Sequence, residues 1–353
     1  MEDNKFKGRG SHIHPHNPFI KRAEVTEHLE GIDEEKYVAH PSSKFHFEDV
    51  TSALSKNSSP DLALNYSINP YQGCEHGCIY CYARNSHTYW GFDAGLGFET
   101  NIVVRKNIAV MLGKQFQKQN HQVLPIMLSG NTDCYQPAEK KFQLTRQILK
   151  TCLDYRHPIS IITKNTLVER DADLLVQLSA LHLVHVYFSI NHLDTSLKNV
   201  LEPRTATAEK KLKLIRSFTD LGIPVGIMVA PIIPGLNNQD ITSIIQKAAE
   251  SGALTAGYTV IRLNGQIKEV FEDWLTKNFP ERKEKVLHQI ASMHGGKVND
   301  TEWGRRIKGE GPIADIIKGL FTQAKKKYLS DRNMPEYNLQ AFRPSGQLNI
   351  FDR

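Results

Sequence analysis

The sequence lacks any apolar run that approaches the roughly 18 residues needed to cross a membrane. Its N-terminal residues, MEDNKFKGRGSHIHPH, are polar and contain no apolar segment typical of a secretion signal. We therefore expect a cytoplasmic protein without a membrane partner. The sequence also has no HExxH motif, phosphate-binding loop or Gly-x-Ser-x-Gly motif, so nothing in it favours a hydrolase or a kinase.

Cysteine is scarce and unevenly distributed. The chain of 353 residues has five cysteines, and three of them, Cys74, Cys78 and Cys81, lie within eight positions. An odd number does not favour a framework of disulfides, and clustered cysteines in a reducing compartment indicate metal or redox chemistry. Cys134 and Cys152 stand alone.

The apolar pattern predicts an α/β fold. From about residue 62, short apolar runs alternate with amphipathic segments, which is typical of parallel strands joined by helices. The predicted strands are Leu64–Asn69, Val123–Leu128, Ile159–Thr163, Leu183–Ile190, Pro224–Ala230 and Thr255–Leu263. The predicted helices are Lys106–Gln119, Pro137–Tyr155, Asp171–Leu181, Ala208–Leu221, Asp240–Ser251, Glu281–Met293 and Pro312–Tyr328.

The number of these units predicts a partial (β/α)6 barrel of the TIM type. Six units occupy about 200 residues, whereas a complete barrel of eight units needs about 250. We divide the chain into a partly irregular N-terminal arm (1–61), the core (62–265) and a helical C-terminal extension (266–353). The arm is expected to contain one short helix near 23–30.

The segment 65–84, NYSINPYQGCEHGCIYCYAR, follows the first predicted strand and carries the clustered cysteines. Thiolates are soft ligands that bind iron–sulfur clusters or zinc. A four-iron cluster is normally held by four cysteines, so a set of three leaves one iron open to another ligand. The alternative is a structural zinc site of three cysteines and a histidine, such as His76 or His87.

The charge distribution offers a second hypothesis about function. The formal net charge is +6, and residues 281–353 carry 14 Lys/Arg against 9 Asp/Glu. Such a region attracts nucleic acid, although a solvated lysine-rich surface has the same composition. A zinc-stabilised nucleic-acid-binding protein without catalysis is therefore the alternative to an enzyme. If DNA is bound, we expect Arg305, Arg306 and Lys308 to contact it.

The motif Cys-x3-Cys-x2-Cys, with Tyr80 just before the last cysteine, resembles the signature of the radical S-adenosylmethionine (radical SAM) superfamily. The flanking segments resemble the branch grouped with spore photoproduct lyase and described as "DNA repair photolyase"-like. The resemblance covers roughly residues 8–330. It rests on these stretches: GRG, NPYQGCEHGCIYCYAR, SGNTDCYQPAEKKFQLTRQ, ITKNTLVERDADLL, EPRTATAEKKLKLI, GIPVGIMVAPIIPGLN and RRIKGEGP.

This resemblance implies a partial barrel with a [4Fe–4S] cluster held by Cys74, Cys78 and Cys81. It implies that the open iron chelates S-adenosyl-L-methionine. One electron from reduced flavodoxin or a ferredoxin-type donor then cleaves the C–S bond, and the 5′-deoxyadenosyl radical abstracts hydrogen from the substrate. The substrate itself is not implied. A DNA lesion is the analogy with photoproduct lyase, which makes DNA or another nucleic acid a candidate partner.

The resemblance also implies cofactor contacts at the strand ends, where a barrel places its active site. Tyr80 is expected near the adenine. The turn after the second strand is expected to bind the methionine amino group through Ser129, Gly130, Thr132 and Asp133. The alternative for each polar residue is a role in a turn or cap.

Four further residues receive roles in the same way. Lys164 and Ser189 end the third and fourth strands and resemble cofactor-contacting positions. Arg204 is expected to pair with the methionine carboxylate, which suits its planar guanidinium. Cys134 is a candidate hydrogen donor, with a buried thiol as the alternative.

Overall fold

The structure is a computed structural model that describes residue 6 and residues 8–20, 41–61 and 65–345 of the chain. The predicted helix near 23–30 and Leu64, the first residue of a predicted strand, lie outside these residues. Within them, the strands are β1 (Lys44–Glu48), β2 (Leu54–Lys56), β3 (Tyr66–Ile68), β4 (Tyr71–Gln72), β5 (Asn101–Arg105), β6 (Ile126–Leu128), β7 (Ile159–Thr163), β8 (Val184–Ser189), β9 (Val225–Ile232) and β10 (Thr255–Val260).

The helices of the described residues surround and extend these strands. They are α1 (Arg84–His87), α2 (Leu96–Thr100), α3 (Ile108–Phe116), α4 (Glu139–Phe142), α5 (Leu144–Asp154), α6 (Ala172–Ala180), α7 (Thr195–Leu201), α8 (Ala208–Asp220), α9 (Ile241–Glu250), α10 (Ile267–Asn278), α11 (Lys283–Met293), α12 (Arg305–Lys308) and α13 (Pro312–Leu329). None of them is long and apolar enough to cross a membrane.

The main sheet has seven strands in the order β10-β9-β8-β7-β6-β3-β2. Its neighbours are parallel, except that β2 pairs antiparallel with β3 at one edge. Because the six parallel strands are added side by side in chain order, their carboxyl ends meet at one edge of the sheet. The predicted α/β fold is confirmed, and this order is consistent with a partial (β/α)6 barrel.

Alternating apolar side chains hold the helices against the main sheet. Phe188 of β8 is fully buried, and its ring lies 6.0 Å from that of Phe218 in α8. Leu214 and Ile215 lie on the same buried face of that helix. Each such side chain stabilises the fold by roughly 1.5–3 kcal/mol, so the strand ends are fixed by a rigid core.

The predicted helix Pro137–Tyr155 is in fact two helices, α4 and α5. Gln143 between them has a φ of 51°, in the left-handed region that an unbroken helix excludes. The Glu139 carboxylate accepts a hydrogen bond from the Thr145 amide at 3.1 Å and so satisfies a free N–H group at the start of α5. It also accepts a hydrogen bond from the Tyr71 hydroxyl at 2.5 Å, which ties the break to β4.

A second, smaller sheet joins the N-terminal arm to the cysteine segment. Its order is β1-β5-β4, with β1 parallel and β4 antiparallel to β5. The edge strand β1 comes from the arm, and β4 is followed at once by Gly73 and Cys74. The arm is therefore part of the framework around the cysteines.

The chain after β10 is helical, and its last described segment returns to the main sheet. Helix α10 was not predicted from the sequence, and it buries Phe271 and Trp274. Farther on, the ring of Tyr337 stacks on His185 of β8 at 3.9 Å, and the Pro335 carbonyl lies 2.9 Å from His185 Nε2. This segment packs near the amino ends of the strands, opposite the edge where the candidate site lies.

Candidate functional site

The cysteine loop, residues 73–83, connects β4 to α1. Cys74 and Cys78 are buried and Cys81 is half-buried. The Cys74 amide donates a hydrogen bond to the Phe98 carbonyl at 3.0 Å, and the Ile79 amide donates one to the Leu201 carbonyl at 3.1 Å. Burial raises the pKa of all three thiols. Thiolates at this place therefore need a compensating positive charge, which a bound metal provides.

Two glycines turn the backbone around the cysteines. Gly73 and Gly77 have φ values of 76° and 68°, in the left-handed region that favours glycine. A Cβ atom on Gly77 would lie 2.7 Å from the Glu99 carboxylate. Both the backbone conformation and the space at this position therefore require glycine.

A buried ion pair supports the loop from behind. Arg84 Nη2 lies 2.6 Å from Glu99 Oε1, and both side chains are fully buried. Arg84 Nε donates a hydrogen bond to the Cys78 carbonyl at 3.0 Å. Glu99 in turn accepts hydrogen bonds from the amides of Gly10 and Ser11 at 3.0 and 2.8 Å. The GRG segment of the arm is thus bonded through this ion pair to the backbone of a cysteine.

Of the two histidines considered as zinc ligands, His76 has polar neighbours outside the cysteine loop, whereas the His87 ring lies beside Gly73 of the loop. His76 Nε2 lies 3.1 Å from Asn165 Nδ2, and His76 Nδ1 lies 3.4 Å from Asp133 Oδ2. His87 stacks on Phe92 at 5.0 Å, and burial lowers the pKa of His87 to about 4. No three His, Cys, Asp or Glu side chains within the described ranges are arranged to hold a single metal ion.

The turn after β6 uses most of its predicted ligand groups to fix its own shape. Ser129 has a φ of 77°, and its Oγ accepts a hydrogen bond from the Cys134 amide at 2.7 Å. The Gly130 carbonyl accepts one from the Tyr82 hydroxyl at 2.5 Å. Thr132 Oγ1 donates to the Tyr71 carbonyl at 2.6 Å. Contact of these residues with a methionine amino group stays a prediction.

Asp133 keeps its negative charge beside the cysteine loop. Its carboxylate accepts hydrogen bonds from Thr163 Oγ1 and the Lys164 amide, each at 2.8 Å. Burial alone would favour the neutral acid, but His76 and the backbone amides outweigh it and lower the pKa of Asp133 to about 2. The negative charge of this carboxylate suits an ammonium group. Hydrogen bonds within the protein already occupy much of its capacity to accept others.

A buried polar group that includes Tyr80 lies at the carboxyl ends of β7 and β8. The Tyr80 hydroxyl donates a hydrogen bond to the Glu202 carboxylate. Lys211 Nζ donates to the Ser189 carbonyl at 2.8 Å and lies 3.9 Å from Glu202 Oε2. Lys164 Nζ lies 5.9 Å from the centre of the Tyr80 ring. The structure thus brings together Tyr80, Lys164 and Ser189, as the sequence predicted for a common site.

Glu202 is the centre of this group. Its side chain is fully buried, which opposes ionisation, but His192, Lys211 and Lys164 outweigh burial and hold its pKa well below the usual range. Burial lowers the pKa of Lys211. A negative carboxylate between two lysines leaves the group with one excess positive charge when all three are ionised.

Three residues of this group were missed in the sequence. Glu202 and Lys211 lie within EPRTATAEKKLKLI, and Lys211 falls on the buried face of α8 between Ala208 and Leu214. Lys211 could have been found in the sequence, because it occupies a position of the helix where the pattern calls for an apolar residue. Asn191 lies two residues after the end of β8 and is buried, and its Oδ1 has no hydrogen-bond partner in the described part of the chain.

Arg204 lies beside the cysteine loop. Its Nη1 is 3.7 Å from Glu75 Oε1, its amide donates to the His76 carbonyl at 3.3 Å, and its side chain is 33% exposed. Contact with a methionine carboxylate stays a prediction, and the guanidinium has a neighbouring carboxylate on the loop itself.

Cys134 and Cys152 are fully buried in the main core. Burial raises the pKa of the Cys134 thiol, and the Cys134 carbonyl accepts a hydrogen bond from Thr145 Oγ1 at 2.7 Å. This environment matches a core thiol and gives no support to a hydrogen donor.

The residues expected to contact DNA are engaged within the protein. Arg305 Nε lies 2.7 Å from Asp300 Oδ2, and Arg306 Nε lies 2.5 Å from Asp61 Oδ2. Lys308 Nζ donates to the Tyr258 carbonyl at 2.7 Å. The basic composition of this region therefore reflects internal ion pairs as well as solvated lysines, and composition alone cannot distinguish these.

Comparison with known proteins identifies the family. The sequence profile of the radical SAM superfamily matches residues 68–248. The chain belongs to the radical SAM superfamily. An uncharacterised protein of Mycobacterium tuberculosis is 32% identical over 240 residues, which are 67% of this chain and 71% of the relative. One from Methanocaldococcus jannaschii is 33% identical over 226 residues, which are 64% of this chain and 81% of the relative.

Solved structures agree with this radical SAM assignment at the level of the fold. Spore photoproduct lyase with bound AdoMet and a dinucleoside spore photoproduct aligns with a TM-score of 0.60 at 17% identity, over 85% of each chain. Its Y98F variant gives a TM-score of 0.59 at 16% identity over the same share. Radical SAM proteins bind a [4Fe–4S] cluster and S-adenosylmethionine, so the predicted enzyme class and cofactors are confirmed for the superfamily.

Proposed function

We propose that this radical SAM enzyme holds a [4Fe–4S] cluster on Cys74, Cys78 and Cys81 and uses S-adenosylmethionine to remove hydrogen from its substrate. The observation that carries the proposal is the loop with three thiols beside a buried polar group at the strand ends. The remaining cysteines, Cys134 and Cys152, lie in the core and leave the loop with three. A set of three suits a cluster with one open iron.

The described residues fit both cofactors. The cysteine loop supplies soft thiolates, and its glycines let the backbone turn closely around a cluster. Asn191 Oδ1 is a buried acceptor without a partner in the described part of the chain, which suits an N–H group of a ligand. When bound, the cluster and S-adenosylmethionine supply one-electron cleavage of a C–S bond and a carbon radical.

The protein's part is to bind, orient and exclude water. Glu202 holds the Tyr80 ring in one orientation through its hydroxyl, and we assign this ring to the adenine. Asp133 provides a fixed negative charge, which we assign to the methionine ammonium group. Lys164 and Ser189 complete the wall at the ends of β7 and β8. Because these groups are already fixed and largely buried, little free energy is spent on rearranging them during the reaction.

We further propose a DNA lesion as the substrate and reduced flavodoxin or a ferredoxin-type protein as the electron donor. The fold that this chain shares with spore photoproduct lyase supports the proposal of a DNA lesion as the substrate. Tyr82 follows Cys81 directly and is 51% exposed, so its ring is available to stack on a base. Half-buried Arg262 interacts electrostatically with Tyr82, and we assign it to a phosphate of the same ligand.

Anaerobic reconstitution with iron and sulfide tests the proposal. The brown protein should release 5′-deoxyadenosine under dithionite, and Cys74→Ala should lose both iron and this activity. Cys152→Ala is the matched control and should keep both. Deuterium transfer from labelled substrates into 5′-deoxyadenosine identifies the hydrogen that is removed. A colourless protein with one tightly bound zinc and no cleavage would overturn the proposal.

A further inference from the structure

A partly exposed aromatic cluster lies on the edge strand β1. Phe45 and Phe47 are two residues apart and therefore share one face of the strand. Phe142 packs edge-on against both, at ring distances of 5.0 and 5.7 Å. Phe47 is 57% exposed. Together with Lys106 and Lys141, these residues form the phenylalanine–lysine face.

The charge of this face is positive. Lys141 Nζ lies 5.2 Å from the ring centres of Phe45 and Phe142, and Lys106 Nζ lies 5.1 Å from that of Phe47. Neither lysine forms an ion pair with an acidic side chain in the described part of the chain. In the sequence, exposed Lys140 precedes Lys141 and exposed Asp49 follows β1, whereas Glu48 is paired with Arg105 at 3.0 Å.

The face is continuous with the packing that supports the cysteine loop. Phe45 and Phe142 pack against a small buried core that contains Tyr71, Ile102 and Val104. Tyr71 is three residues before Cys74. Neighbouring strands are about 4.8 Å apart, so β1 lies about 10 Å from β4 across this sheet. A partner bound here would be close to the loop.

Exposed aromatic side chains on an edge strand are unusual. Proteins normally protect such edges because an exposed apolar strand promotes association, so an exposed apolar patch indicates a binding surface. Here lysines surround the apolar centre. This combination complements a partner with an acidic rim around an apolar contact, and opposite charges accelerate encounter between two proteins.

We infer that the phenylalanine–lysine face is the docking surface for a small acidic redox protein that reduces the enzyme. This inference rests on the proposed function, since it assigns a place to the electron donor that the function requires. The donor loses one electron and the enzyme gains one, and no proton or chemical group is transferred. The small size of the face suits the weak, short-lived complexes of electron-transfer proteins.

The test compares two reductants with the reconstituted enzyme. Reduced flavodoxin must dock, whereas dithionite needs no docking surface. Lys106→Glu, Lys141→Glu and Phe47→Ala should each lower flavodoxin-driven release of 5′-deoxyadenosine by about tenfold, because the steering charge or the apolar contact is lost. Dithionite-driven release should be unchanged. Lys326→Glu, an exposed position on α13, is the control of equal charge change and should behave as the wild type.

Binding provides a second measurement that does not depend on turnover. Fluorescence anisotropy of labelled flavodoxin should show weaker binding to Lys141→Glu than to Lys326→Glu, with the difference reduced at high salt. Equal binding and equal flavodoxin-driven rates in all variants would overturn the docking surface. The docking surface would also be overturned if these variants lost binding to a single-stranded oligonucleotide while their flavodoxin-driven rates stayed unchanged. No cleavage by the wild type with either reductant would instead overturn the proposed function.

Discussion

Gly10 of the N-terminal arm lies against the carbonyl oxygen of Gly77 in the cysteine loop, so closely that a Cβ atom on Gly10 would overlap that oxygen. The Gly10 amide donates a hydrogen bond to Glu99, which also pairs with Arg84. Backbone therefore packs on backbone at this contact. A residue of the arm thus limits where the cysteine loop can lie.

Gly10→Ala should displace the arm from the loop. Its backbone is not in the left-handed region, so the added methyl group, rather than backbone strain, is the cause. We expect a loss of stability of about 1–3 kcal/mol, typical of overpacking, and faster release of iron to a chelator after reconstitution. Thermal unfolding and the rate of iron release measure the two effects.

Gly319→Ala is the matched control for this change. Gly319 lies within α13, and a Cβ atom there would meet nothing within 4 Å. That substitution should stabilise the protein by about 0.5–1 kcal/mol and leave iron release unchanged. Equal iron release from Gly10→Ala and Gly319→Ala would show that the arm does not position the loop.

Arg84→Met should be strongly destabilising. It leaves the Glu99 carboxylate buried without its counter-ion, which costs about 3–5 kcal/mol. The double variant Arg84→Met/Glu99→Gln should recover part of this loss because the buried charge is removed. Denaturant unfolding of both single variants and the double variant measures the coupling. If the two single effects simply add, the ion pair does not act as a unit.

Cys134→Ala separates a core thiol from a hydrogen donor. We expect normal iron content and normal 5′-deoxyadenosine release, with a stability loss of about 1 kcal/mol for the small cavity. Cys81→Ala should instead lose iron. Product analysis with deuterated solvent adds a direct check, since a donor thiol would place solvent deuterium in the product. Loss of that label in Cys134→Ala, with iron intact, would restore the donor role.

His157 should make stability depend on pH. Its ring stacks on Phe116 at 4.2 Å, and burial lowers the pKa of His157 to about 3. Between the ordinary histidine pKa and this value, the unfolded chain binds a proton that the folded protein does not, so stability falls as the pH falls. By pH 5 the loss from this group is about 2 kcal/mol.

His157→Phe should keep the stack and remove this dependence. Its free energy of unfolding should therefore fall less than that of the wild type between pH 6.5 and pH 5. His121, which lies 3.0 Å from His157 and has a pKa that burial lowers, should retain a smaller pH dependence. If the free energy of unfolding depends on pH in the same way in the wild type and in His157→Phe, His157 is not the source of this dependence.

Neutralising Arg305, Arg306 and Lys308 together should mainly lower the melting temperature. Arg305 and Arg306 pair with Asp300 and Asp61, so their loss removes the arginine partner of each carboxylate. Burial lowers the pKa of Lys308 to about 8, which fits a side chain packed on Tyr258. If the triple variant instead unfolds normally and its oligonucleotide binding becomes less dependent on salt, these residues do contact nucleic acid.

The parts of the molecule that follow local patterns were accessible from the sequence. Strand Ile159–Thr163 has the predicted bounds because a short β-branched run has one compatible structure. The cysteine spacing indicated its chemistry because ligand type and number are local properties. Lys164 and Ser189 were placed at the site because they end successive parallel strands, and Tyr80 was placed there by the resemblance of its cysteine motif to the radical SAM signature.

The parts that depend on contacts between distant residues were not accessible. The break at Gln143 is accompanied by hydrogen bonds that Glu139 accepts from Tyr71 of β4 and from the Thr145 amide, and no local propensity encodes these contacts. Glu202 and Arg84 resemble ordinary surface charges in the sequence, and only the fold shows that both are buried. Ile316 continues the apolar pattern of α13 but is 60% exposed, because the helix packs on a narrower face than that pattern covers.

The contacts behind the cysteine loop and those in front of it differ in their order along the chain. The residues behind the loop, Gly10, Arg84 and Glu99, all precede the end of β5 in the sequence. The residues in front of it come much later, since Leu201 is the last residue of α7 and Glu202 follows it. During synthesis the rear support is therefore complete about 100 residues before the front wall leaves the ribosome. We expect the thiols to be more accessible in a growing chain that has not yet reached Leu201 and Glu202 than in the folded protein.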